Sequence, residues 1–107
     1  MVAIQFYRKF ITEFVREQMI VLGPNLAVDT ANRAEGLAIN SRGQVTEIIG
    51  DGSQVLYLLV QEYLKLSPQL TNYTIHTLFL KYPDIAEEYP EHFTKVSLIC
   101  PLMIPEA

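Results

Sequence analysis

A mainly α domain is what this sequence predicts: three longer helices, a fourth over residues 70–82 where strand propensity competes, and a β-hairpin left open at 37–49. Three observations carry it. Apolar residues recur with helical period from Ala3 to Leu22. Gly23-Pro24, Gly50-Asp51-Gly52-Ser53 and Ser67-Pro68 then cut the remainder into segments of helix length. Half of the 107 residues are apolar and 19% are charged, a composition that folds, in a length that holds one core, so residues 1–107 read as a single domain.

Taken in order, the first helix shows Gln5, Arg8, Lys9, Thr12, Glu13, Arg16 and Glu17 at polar positions three or four apart. Ile4, Tyr7, Ile11, Phe14 and Val15 share the opposite face, which Phe6 and Phe10 widen. Gly23 ends the helix and Pro24 suits the first turn of a second, along which Ala27 or Val28, Ala31, Ala34 and Ala38 form a narrow stripe ending near Gly36. Leu37–Ile39 and Val45–Ile49 flank turn chemistry at Asn40-Ser41-Arg42-Gly43, which is the hairpin signal. A two-stranded hairpin is marginal alone, so it would have to lie on the helices. Asp51 or Ser53 can cap a helix from about Gln54 to Leu66, apolar on most sides and expected at the centre of the core. Over 70–82 the positions Leu70, Tyr73, Thr74, Thr77 and Leu78 favour a helix against β-branched competition. Asp84 is placed to cap one turn through Glu88, and His92–Ala107 reads as a short strand or an extended segment over the core.

Charge narrows the function classes. The net charge is -4, and residues 46–107 carry three Lys/Arg against eight Asp/Glu. No cluster of basic residues supplies the face that nucleic acid needs, so direct DNA or RNA binding is not expected. Cys100 is the only cysteine, which excludes an internal disulfide and fits a cytoplasmic protein. The order of charges in the first ten residues is not that of a signal peptide, and the longest apolar run, Val55–Val60, is far short of a membrane span. Peripheral membrane binding through the first helix is disfavoured by its mixed polar face.

No catalytic, cofactor or metal motif emerges. Asp84, Glu87, Glu88 and Glu91 lack the spacing and glycine of a calcium loop and read as a solvated turn. His76, His92 and Cys100 have no zinc spacing, and Cys100 between Ile99 and Pro101 reads as inert core. Gly50-Asp51-Gly52-Ser53 before a helix has an anion-binding reading, but a capping turn is the commoner use of these residues. Phe6, Tyr7, Phe10 and Phe14 have two compatible readings: the inward face of the first helix, or a docking surface for a second helix, often a copy of itself.

Val21-Leu22-Gly23-Pro24-Asn25-Leu26-Ala27 resembles the helix, Leu-Gly-Pro, helix junction of small helical modules found beside bacterial signalling kinases and response regulators. The likeness covers about residues 10–66, with the Val55–Tyr63 helix as the module's next one. It implies a regulatory or interaction role and no catalytic residue. A second resemblance, Glu35–Val45 as a hairpin between helices, is to roadblock-type α+β modules, and it calls for strands at 73–80 and 93–100. The reading that results is a non-enzymatic interaction or regulatory module, expected to be homodimeric through Phe6, Phe10 and Phe14. Its rival is a small enzyme or ligand-binding domain with a pocket near Asp51, His76 or His92.

Overall fold

The computed structural model describes residues 3–89, in the order α1 (Ile4–Leu22), α2 (Pro24–Ala31), β1 (Leu37–Ile39), β2 (Val45–Ile48), α3 (Gly52–Leu66), α4 (Pro68–Lys81) and α5 (Pro83–Glu88). The mainly helical class with a hairpin is as the sequence predicts. The α+β alternative is not: residues 73–80 lie inside α4, and 93–100 fall outside the described residues.

α1 is the axis of the fold and touches α2, α3, α4 and β2. Its period places Tyr7, Phe10, Ile11, Phe14, Val15 and Gln18 inward. Gly23, at φ 93, turns the chain where a Cβ would be strained, and Pro24 opens α2 at a position that needs no N–H. Gly52 begins α3 against the Tyr7 ring, where an added Cβ would stand 2.5 Å from the ring carbons, and further along Tyr63 meets Phe14 edge to face at 5.2 Å. α3 therefore runs in the direction of α1, with α2 and the hairpin as the crossover. Ser67 alone separates α3 from α4, so α4 doubles back and brings Phe79 and Tyr82 onto Phe10 at ring separations of 5.7 and 5.4 Å. The two faces meet in one core with Leu56, Leu59, Val60, Ile75 and Ile85.

α2 is shorter than the alanine spacing suggests, ending at Ala31 with Asn32 as its C-cap, whose N–H still donates to the Val28 carbonyl at 3.0 Å. The Asn32 side chain donates to the Ile39 carbonyl at 3.1 Å and accepts from the Ile39 N–H at 2.8 Å, completing the outer edge of β1 as a third strand would. The edge of β2 is closed by α1: Thr12 Oγ1 accepts from the Val45 N–H at 3.2 Å, and Arg8 donates to the carbonyls of Val45 and Thr46. Both edges of a hairpin too small to stand alone are thus fastened to helices. Its register pairs Ala38 with Glu47 and Ile39 with Val45, leaving Thr46 as a bulge whose hydroxyl donates to the Ala38 carbonyl. At the tip, Asn40 Oδ1 accepts from the N–H groups of Arg42 and Gln44, and Gly43 takes φ 82.

Candidate functional site

The structure disperses the residues that the sequence offers for function. Phe10 and Phe14 are fully buried, each stacked on rings from α3, α4 or the α4–α5 junction. They belong to the protein's own core, and of the three expected interface residues only Phe6, 47% exposed, reaches solvent. Asp51 caps α3, accepting from the Ser53 N–H and hydroxyl, so a carboxylate already occupies the helix N-terminus that an anion would need. His76 is exposed on α4. Among the described residues no group of three or more His, Cys, Asp or Glu is arranged to hold a metal ion, while Glu91, His92 and Cys100 lie outside them. Asp84 is not the cap of α5 but its second residue, with Tyr82 at the N-cap.

Two polar clusters tie α1 to the end of α4 and to α5. Tyr7, buried near the start of α1, donates to Glu88 Oε1 at 2.6 Å, and burial followed by that bond and the nearby Glu88 and Asp51 charges pushes its phenol far up from the usual value. Tyr7, Asp51 and Glu88 line one shallow concavity with Gly50, Gly52 and Ser53. A phenol made harder to ionise is a poor base or nucleophile at neutral pH, so the cluster reads as a clamp between α1 and α5. In the second cluster Glu13 of α1 accepts from Lys81 Nζ at 2.7 Å and from the Tyr82 hydroxyl. Burial alone would raise the Glu13 carboxyl, but these two bonds and the charges of Lys81 and Lys9 outweigh it and hold it below its ordinary value.

What remains distinctive is the outer face of α4. Its inner face, Thr71, Thr74, Ile75 and Leu78, is buried. Its outer face carries Leu70, Tyr73, Thr77 and Leu80, spaced three, four and three apart, with Tyr73 73% and Leu80 75% exposed. Thr77 hides its hydroxyl by donating to the Tyr73 carbonyl at 2.9 Å, which leaves the residue's polar atom engaged within the helix. Between Lys65 and Lys81 the chain has no Asp, Glu, Lys or Arg. A surface helix ordinarily sets charge opposite its buried face, and α4 sets Tyr73 and Leu80 there beside the exposed polar Gln69 and His76. The nearest charge, Lys81, is paired with Glu13. Of the large apolar residues exposed among the described positions, most stand on α1 and on α4, which packs beside it.

Sequence reasoning took Leu70, Tyr73, Thr74, Thr77 and Leu78 as one face, whereas Thr74 and Leu78 turn inward and Leu70, Tyr73 and Thr77 are exposed. The missing signal was the uncharged run between Lys65 and Lys81, which a helix with one buried face does not need. No protein-family model matches the chain, and no significant match to it was found among curated proteins or solved structures.

Proposed function

We propose that this chain is a non-enzymatic protein–protein interaction module of regulatory type, acting in the cytoplasm and working as a homodimer. The observation that supports it is the outer face of α4, where Leu70, Tyr73 and Leu80 are exposed beside Gln69, His76 and Thr77 and no Asp, Glu, Lys or Arg stands between Lys65 and Lys81. Interface centres are depleted of charge and enriched in large apolar and aromatic side chains, and this face has that composition on a molecule of net charge -4. The Leu22-Gly23-Pro24 elbow between α1 and α2, which resembles the junction of small bacterial signalling modules, supports such a role. Among the described residues no helix is long and apolar enough to cross a membrane.

Light scattering across a wide concentration range tests the reading. The wild type is expected to form dimers, and Tyr73→Glu to be a monomer with an unchanged far-ultraviolet circular dichroism spectrum. A wild type that stays monomeric at every concentration sinks it. Of the residues the enzyme alternative names, Asp51 lines a concavity with Tyr7 and Glu88 and is bonded to Ser53, His76 is exposed on α4, and His92 lies outside the described residues.

A further inference from the structure

We infer that α2 is a hinged lid: while α1, α3 and α4 stay packed, it swings about Gly23 and uncovers the side chain of Gln18. Gln18 is 1% exposed, yet neither the nitrogen nor the oxygen of its amide has a hydrogen-bond partner among the described residues. An amide buried in that condition raises the free energy of the closed state, and a motion that returns it to water relieves this.

The helix that covers Gln18 follows from the faces of α1. Phe14, one turn before it, meets the Tyr63 ring of α3, while Val15 and Met19 on the other flank lie against Gly43 at the hairpin tip. Gln18 points between these two flanks. α2 touches α1, α3 and β1, so it fills the wedge between α3 and the hairpin and roofs the amide. Little apolar surface holds it there. Its eight residues fully bury only Ala27, Thr30 and Ala31, with Val28 partly buried against the core. The Thr30 hydroxyl is a further buried polar group without a partner among the described residues. At the elbow Gly23 has φ 93 and no atom within 4 Å of where a Cβ would stand, and Ile20, Val21 and Leu26 around it are exposed, so nothing packs the hinge down. Two fastenings oppose the motion. Tyr63 donates to the Ala27 carbonyl at 2.8 Å beneath the lid, and the Asn32 side chain holds Ile39 at its far end.

Hydrogen exchange of the full chain, followed residue by residue through low urea concentrations, tests the lid. Amides of residues 27–32 are expected to exchange at least about tenfold faster than those of residues 56–63 in α3, and with a weaker urea dependence, as an opening that exposes little surface requires. Gln18→Met puts an apolar side chain of similar length in place of the amide and is expected to slow exchange in 27–32 by about tenfold. Tyr63→Phe keeps the ring, removes the bond to Ala27 and is expected to speed that exchange by about fivefold. Exchange in 27–32 that matches α3 in rate and urea dependence overturns the inference, because α2 then opens only with the whole fold. A separate opening that Gln18→Met leaves at the wild-type rate also overturns it, because Gln18 is then not what the motion uncovers. Should Gln18→Met lose the wild-type circular dichroism spectrum, Tyr63→Phe decides alone: faster exchange in 27–32 supports the lid, and an unchanged rate sinks it.

Discussion

Glu13 shows how one side chain in this protein is set by groups far away in sequence. Lys81 and Tyr82, from the other end of the described chain, give it two hydrogen bonds that outweigh the cost of burying it. The folded carboxyl therefore holds its charge to a lower pH than the unfolded one, so the unfolded state takes up protons first as pH falls. The stabilisation is complete above the ordinary value of 4.5 and disappears as pH drops through the lower folded value. Glu13→Gln is expected to be less stable than wild type at neutral pH and to converge with it between about pH 5 and pH 3 in urea-unfolding series. A constant gap across that range would show that the charge contributes nothing. Tyr82 mirrors this on the alkaline side. Its bond to Glu13, its burial and the Glu13 charge push its phenol up to about 12, so its contribution is intact below 10 and lost as pH rises through that higher value.

At the scale of elements, the hairpin depends on its neighbours more than on its turn. Four residues in β2 and three in β1 cannot hold a sheet in water. Asn32 on one edge and Thr12 with Arg8 on the other supply the missing pairings. Asn32→Ala leaves both backbone groups of Ile39 without that partner and is expected to cost about 1–3 kcal/mol, with hydrogen exchange accelerated first in residues 37–48. Uniform loss of protection across all elements would show that the hairpin does not open separately. The hairpin itself was legible, because Asn40 and Gly43 carry turn chemistry that needs no tertiary context. The end of α2 was not: the alanine spacing runs on past it, and the partners that Asn32, a weak helix former at the C-cap, finds for its side chain are on a strand seven residues on. α4 was readable as a helix through Leu70, Tyr73, Thr74 and Thr77, and its β-branched residues cost less than propensity implies because Thr71, Thr74 and Ile75 are buried beneath it.

For the molecule as a whole, the question is which of two apolar helix faces serves the core and which serves a partner. Phe6, Phe10 and Phe14 gave both readings, since a face that is apolar over a third of a helix does not say what covers it. The answer came from rings remote in sequence: Tyr63 covers Phe14, while Phe79 and Tyr82 cover Phe10. α4 posed the same ambiguity with the opposite result, because Tyr73 and Leu80 on its second face stand mostly exposed among the described residues. Substituting one residue on each face separates the two cases. Phe10→Glu places a carboxylate at a site with no exposure, where it must either be buried charged or be protonated at a cost. The penalty, with the packing lost from Phe79 and Tyr82, is expected to exceed about 4 kcal/mol. A domain of this size is stable by roughly 5–15 kcal/mol, so the melting temperature should fall by about 20 °C or more, whatever the protein concentration. Tyr73→Glu puts the same group in solvent and should leave a monomer's melting unchanged, while removing any dependence of melting on protein concentration. Should Phe10→Glu instead keep its fold and alter only the state of association, α1 would be the docking helix and α4 would lose its claim.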